Sequence, residues 1–240
     1  MKIEKMKAVI LAAGAGRRMK VSNVPKALIP INGKPMICNV IDALIECGIR
    51  NILVVKYYAD SFNVLDAIYA NAKVSIEYID DYERKGSLFS FSLVRKYVKR
   101  EFICLDCDLH VDVKSFSKML ATGLEKIDKK DTLGVMAYVK KPSRIDSDML
   151  LIENEYVVRF LKNGNLFYRR GGYVYIWKKN IFDDIAVFFE QRCYSLSIYY
   201  DYIVQNYLVG VMEIEDIWDI DNEDDVKYTN AIMKIGDRVE

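Results

Sequence analysis

Net charge is nearly absent from this 240-residue chain: 35 Lys and Arg face 34 Asp and Glu, leaving a formal +1. That balance gives no support for a nucleic-acid groove or for binding an anionic membrane surface. No apolar run approaches the roughly 18 residues that span a bilayer. The opening segment, MKIEKMKAVILAAG, lacks the form of a secretory leader, because its apolar part is short and runs straight into a glycine loop. The cytoplasm is the expected compartment. The five cysteines are odd in number and scattered, as reduced thiols are, and do not form a disulfide framework. No linker, low-complexity tract or internal repeat divides the chain. One domain over residues 1–240 is therefore expected, and its 52% hydrophobic content suffices for a substantial core. A monomer and a homodimer both fit this composition.

What is present is concentrated near the start, in KAVILAAGAGRRMKVSNVPKALIP, residues 7–30. The apolar run 8–13 reads as a buried strand that breaks at Gly14 and Gly16. Arg17, Arg18 and Lys26 follow. A strand that empties into a glycine loop beside fixed cations is a device for holding phosphates. Glycine lets backbone N–H groups approach an anion without a Cβ in the way, and the cations neutralise what the backbone cradles.

Strand and helix signals alternate through the first half. The patterns predict strands at 7–13, 51–56, 74–79 and 101–106, and helices at 35–47, 61–71 and 87–98. Such repeats imply right-handed crossovers and a mostly parallel sheet. In the second half, strands are predicted at 132–139, 149–153, 157–161, 173–177 and 209–214, with turns at Pro142 and Asn163-Gly164. This reads as antiparallel additions to the sheet or as a small flanking sheet. Helices are predicted at 180–191, 196–207 and 223–233.

The glycine loop fails as a dinucleotide fingerprint, since Met19 stands at the third glycine position and the second strand ends in Lys56 rather than an acid. It fails as a Walker loop because GK[ST] is missing. What remains is Leu11-Ala12-Ala13-Gly14-Ala15-Gly16-Arg17-Arg18-Met19 followed by Pro25-Lys26-Ala27-Leu28. This pattern resembles the signature of the nucleotidyltransferases that activate sugars and phospho-alcohols. The resemblance implies transfer of a nucleoside monophosphate from an NTP to a phosphorylated acceptor, with release of pyrophosphate. It implies a single-domain Rossmann-like α/β fold of the GT-A-like kind. A central mixed, mostly parallel sheet would be flanked by helices, with a small antiparallel addition on the acceptor side. An NTP-binding half would cover about residues 1–115 and an acceptor-binding half about 116–240. Leu11 to Gly14 and Gly16 would bind nucleotide. Arg18 matches the family's phosphate-binding arginine and Lys26 its catalytic lysine, while Arg17 stands where threonine is usual.

In such a reaction an acceptor phosphate oxygen attacks the α-phosphorus, and catalysis is mostly positioning and charge stabilisation. Bringing two phosphates together calls for a divalent cation, expected to be Mg²⁺. Two candidate pairs exist: Asp106 and Asp108 at the end of a strand, and Asp219 and Asp221 in WDIDNEDD. By the resemblance, Asp108 matches the first metal ligand. Asp221 matches the second in the cytidylyltransferase branch, and Asp219 matches the sugar branch; Asp106 falls on the nucleotide side.

The patch Arg84-Lys85-Gly86-Ser87-Leu88-Phe89-Ser90 occupies the family's base-reading loop and resembles the branch that activates phosphocholine, inositol phosphate or aminoethylphosphonate with CTP. Gly86, Ser87 and Ser90 would bind the base, and Ser87 equally suits a helix N-cap. Lys162, Arg170, Gly172, Tyr200 and Asp201 are candidates for the acceptor, the last two because aromatic faces and a carboxylate suit an ammonium group. Core packing and exposed turns account for these residues equally well. CTP with a small phosphorylated alcohol or amine is the favoured pairing. A sugar-1-phosphate with UTP, GTP or dTTP is the alternative. A glycosyltransferase of related architecture would carry the DxD but would not need the loop and its lysine, and a non-catalytic sensor would have lost Lys26 or the carboxylates. Cys104 and Cys107 lie three apart on a strand and point to opposite faces, so they do not share a metal. His110 is the one histidine, and an anionic acceptor needs no general base from it.

Overall fold

The structure, a computed structural model, describes residues 3–14, 19, 24–57, 60–83, 85–139, 148–162, 169–215 and 217–236. In chain order its strands are β1 (Lys7–Ala12), β2 (Pro30–Ile31), β3 (Lys34–Pro35), β4 (Asn51–Lys56), β5 (Ser75–Asp80), β6 (Phe102–Asp106) and β7 (Leu109–Val111). They continue with β8 (Thr132–Val139), β9 (Asp148–Glu153), β10 (Tyr156–Lys162), β11 (Arg169–Trp177), β12 (Leu208–Ile214) and β13 (Ile217–Asp219). The α-helices are α1 (Ile37–Glu46), α2 (Asn63–Ile68), α3 (Ser87–Leu93), α4 (Val113–Ile127), α5 (Ile185–Glu190), α6 (Leu196–Asn206) and α7 (Glu223–Gly236).

Nine strands form one sheet in the order β5-β4-β1-β6-β11-β8-β12-β10-β9. The first four run parallel, β11 enters antiparallel between β6 and β8, and β12 lies parallel to β8. The later strands thus extend the main sheet instead of making a separate one. Successive residues of β1 face opposite cores, as strand geometry requires. Ala8, Ile10 and Ala12 join α1 and α4 on one face, and Val9 joins α3, α5 and α6 on the other. A sheet covered on both sides explains why these strands read as unbroken apolar runs.

Three elements go beyond the sequence expectation. Helix α4 was not anticipated, although Asp112 caps it by accepting from Ser115 N at 2.7 Å and Phe116, Met119, Leu120 and Ile127 form its buried stripe. The β2–β3 hairpin turns on Asn32 and Gly33, both at positive φ, the Asn-Gly chemistry of a tight primed turn. A second two-stranded sheet pairs β13 with β7. The expected turns at Pro142 and Asn163-Gly164 lie outside the described residues.

Close packing between β8 and β11 depends on Gly134. A Cβ there would fall about 2.0 Å from Trp177 Cε3, in the middle of a buried indole. Overpacking of this kind costs roughly 1–3 kcal/mol or more. Gly134→Ala is therefore expected to lower the urea midpoint by an amount equivalent to at least about 1 kcal/mol, measured by equilibrium unfolding.

Candidate active site

Three distant segments meet at the C-terminal edge of the parallel strands. Lys26 sits in a short 3₁₀ turn after Pro25. Its ammonium donates to Asp108 and, at 2.7 Å, to Asp221 Oδ1, partners 82 and 195 positions away in the chain. Burial pulls the ammonium's pKa down, but the Asp108 and Asp221 carboxylates outweigh it, and the net shift is upward. Lys26 is thus held as a cation.

The placement of the carboxylates follows from local structure. Strand β6 delivers Asp106 opposite Leu11 of β1, and the chain turns through Asp108 into β7. Pairing of β13 with β7 sets Asp219 across from Leu109 and Trp218 across from His110. Ile220 then does two things. Its N–H donates to the Asp108 carbonyl at 2.8 Å, and its side chain is fully buried with Met19, Ile29, Ile31 and Met36 in a third small core. With Ile220 anchored, Asp219 and Asp221 on either side of it are fixed beside Asp108. His110 stacks on Trp218 with ring centroids 4.3 Å apart, and the Trp218 indole donates to Thr229 Oγ1 at 3.0 Å.

The remaining acids of WDIDNEDD divide between roles. Asn222 Oδ1 accepts from Asp225 N at 3.0 Å, and Asp225 Oδ2 accepts from Asn222 N at 3.2 Å and Asp221 N at 2.9 Å. This reciprocal capping box starts α7 and holds the backbone of Asp221. Asp219 accepts from the buried guanidinium of Arg170. Burial pushes the Asp219 carboxyl upward, Arg170 opposes that, and the neighbouring Asp221 carboxylate adds to it. Asp106 is raised well above its ordinary value, by burial first and then by Asp108 and Asp148.

Beside this cluster lies a cavity of about 150 Å³, lined by Leu11 and Ala13, by Ser87 and Ser90, and by Asp106 and Tyr200 among others. Gly86 opens α3 at φ 149, and a Cβ there would come 2.6 Å from the Tyr194 carbonyl oxygen. Glycine alone lets the start of α3 lie so close to the backbone of Tyr194, just before α6. Gly86, not Ser87, occupies the N-cap position. Ser87 Oγ instead accepts from Leu196 N, at 3.0 Å, tying α3 to α6.

The acceptor candidates separate in space. Tyr200 reaches the cavity, its ring against Tyr175 at 4.9 Å and Phe160 at 5.5 Å. Asp201 is taken up by Arg159 at 3.0 and 3.2 Å and by Phe160 N at 2.8 Å, joining α6 to β10. Arg170 is engaged with Asp219. Lys162 ends β10 and Gly172 lies within β11. Ala12 is buried at the end of β1, with Gly14 just beyond it. Gly16, Arg17, Arg18 and Arg84 lie outside the described residues. All five cysteines are free thiols, with Cys104 and Cys107 in cores on opposite faces of the sheet. Asp81, Asp148 and Arg170's pairing with Asp219 escaped the sequence reading, because nothing local in the sequence marks which charges will be buried together.

Comparison with known proteins places the fold in a family. Residues 8–188 match the model of the MobA-like NTP transferase domain. The chain belongs to that family. This transferase is 27% identical to the choline-phosphate cytidylyltransferase of Streptococcus pneumoniae over 241 residues, which covers 95% of this chain and 99% of that protein. It is 33% identical over 136 residues to the bifunctional protein GlmU of Methanococcus vannielii, covering 55% of this chain and only 32% of that longer relative. In structure it superposes on the inositol-1-phosphate CTP transferase of T. maritima with a TM-score of 0.80 at 17% identity, over 97% of this chain and 96% of that one, a likeness of fold. No helix among the described residues is long and apolar enough to cross a membrane.

The capping box yields a stability prediction. Asn222→Ala should cost about 1 kcal/mol, within the 0.5–2 range of lost caps, as read from thermal unfolding. A loss near zero would mean that α7 and Asp221 are held by other contacts.

Proposed function

We propose that this transferase moves CMP from CTP to a small phosphorylated alcohol or amine, of the phosphocholine, inositol phosphate or aminoethylphosphonate type, and releases pyrophosphate. The observation that carries the reading is the convergence of Lys26, Asp108 and Asp221 beside the end of β1. Similarity to a cytidylyltransferase along nearly the whole chain supports the choice of nucleotide.

In the proposed reaction an oxygen of the acceptor phosphate forms a bond to the α-phosphorus. The bond from that phosphorus to the bridging oxygen breaks, and pyrophosphate leaves with the electron pair. The glycine loop and Arg18 hold the β- and γ-phosphates. Lys26 turns its charge from the carboxylates to the α-phosphate and the acceptor phosphate, offsetting the repulsion between two anions and the negative charge that develops in transfer. No side-chain nucleophile is required, and the acceptor brings its own charge, so His110 has no proton to remove.

The carboxylates fit a hard divalent cation. Asp108 and Asp221 already direct oxygens at one cationic centre. Among the described residues no group of three ligating side chains closes on a point, and Mg²⁺ typically takes only one or two protein carboxylates beside phosphate and water. Bound there, Mg²⁺ would supply a Lewis-acid centre that draws charge from phosphate oxygens. Asp219, steadied by Arg170, stands next to this pair.

The proposal is tested by a pyrophosphate-release screen of CTP, UTP, GTP and ATP against phosphocholine, inositol phosphate, aminoethylphosphonate and hexose-1-phosphates. CTP with one of the first three is expected to release pyrophosphate, and silence from every pair would refute the reading. Lys26→Ala should lower kcat by roughly 10²–10³-fold, the loss that follows removal of one preorganised charge-stabilising group; near-normal turnover would remove Lys26 from the chemistry. EDTA-treated protein is expected to be inactive and to recover on addition of Mg²⁺. Full activity without a divalent cation would exclude a metal role for Asp108 and Asp221.

A further inference from the structure

The two serines that line the cavity have opposite hydrogen-bond states. Ser87 Oγ accepts the Leu196 N–H at 3.0 Å, and among the described residues nothing takes its proton, so it has a proton to give to the cavity it lines. Ser90 Oγ donates to Asp81 Oδ2 at 2.5 Å, the alternative being the Gly86 carbonyl at 3.4 Å. With either partner the Ser90 proton points into the protein, and the cavity meets lone pairs. Asp81 is 1% exposed, and its own N–H donates to the Lys56 carbonyl at 2.8 Å. The carboxylate that takes the Ser90 proton is therefore fixed at the sheet edge. Ser87 and Ser90 are three residues apart and share one face of α3.

A donor beside an acceptor is a directional code. The hydrogen-bonding edge of cytosine has N3 as an acceptor next to the N4 amino group as a donor. Uracil reverses both, with N3–H donating and O4 accepting. The serine pair therefore complements cytosine at two adjacent positions, whereas Ser90, its proton committed to Asp81, has none to give to uracil O4. The cavity's size agrees: about 150 Å³ is on the order of the space that admits one benzene-sized ring, suited to a pyrimidine more than to a purine. Leu11 and Ala13 line one side of it, on the segment that leads into the phosphate-holding loop.

We propose that Asp81, by taking the Ser90 proton, sets the polarity of the two serines expected to meet the base, for cytosine against uracil. Asp81 is then a positioning residue that never touches the nucleotide. This inference rests on the nucleotidyl-transfer reading of the same site.

The test is equilibrium binding of CTP, UTP, GTP and ATP, each with Mg²⁺, to the full chain, which needs no acceptor. The wild type is expected to bind CTP about 100-fold more tightly than UTP, since a site built for one polarity leaves its groups unpaired with the other. In Asp81→Asn the amide can donate to Ser90, whose proton then turns to the cavity; the CTP:UTP preference should fall at least tenfold. Ser90→Ala removes the acceptor and should lower the preference about tenfold, chiefly through weaker CTP binding. A purely structural role for these residues would weaken both nucleotides alike and leave the ratio unmoved. If Asp81→Asn shows no cooperative thermal transition, Ser90→Ala decides. Equal affinity for CTP and UTP in the wild type, or an unchanged ratio in the folded variants, overturns the base-reading assignment while leaving nucleotidyl transfer standing. Failure to bind any of the four nucleotides would instead remove the reading on which it rests.

Discussion

The interaction on which the site depends is a single ammonium between two carboxylates. Asp108 and Asp221 lie close enough to share the Lys26 cation, and two carboxylates about 4 Å apart repel by about 4 kcal/mol at an effective dielectric constant of 20. The cation removes that cost and keeps the pair assembled. It also places three charges of the kind phosphate chemistry uses at the C-terminal edge of the parallel strands. The same charges that make the site expensive to hold together make it fit for phosphate and a hard metal ion.

Because the partners are far apart in the chain, their alignment has to come from elsewhere. Strand β6 and the turn after it fix Asp108. The third core fixes Ile220, and through it both aspartates that flank it. Pairing of β13 with β7 sets the register, so that a slip of one residue would exchange the faces of Asp219 and Ile220. The capping box of α7 binds the backbone of Asp221. Each device is backbone pairing, apolar packing or the Asn222–Asp225 capping box, and none uses the charges of Lys26, Asp108 or Asp221. The scaffold thus stands apart from the ammonium–carboxylate cluster it supports.

Much of this could be read in the sequence. The apolar runs of β4 and β8 are bounded by their sequence patterns to the residue, because strands buried on both faces carry a continuous signal. Lys26, Asp108, Asp219 and Asp221 stood out by motif, and they meet. Other features were out of reach for physical reasons. β7 and β13 are three residues each, too short for a period-two pattern. Ser87 looks like a helix cap from its neighbours alone, yet its partner is Leu196, 109 positions away. Arg170 and Asp201 resemble ligands for a phosphate and an ammonium, but Asp219 and Arg159 engage them, and only the sheet's long-range pairings reveal it. Helix α4 was readable, with an Asp cap and a regular apolar stripe, and was missed.

The central claim is that the α-phosphorus of a nucleotide is handed to a phosphorylated acceptor at this ammonium–carboxylate centre. Its most direct test follows the label from [α-³²P]CTP and [γ-³²P]CTP in parallel incubations with Mg²⁺ and a mixture of phosphocholine, inositol phosphate and aminoethylphosphonate. The account predicts that the α-label moves into a new acceptor-linked species and the γ-label into pyrophosphate, in equal amounts. Recovery of the α-label as free CMP, or of the γ-label as inorganic phosphate, would contradict it.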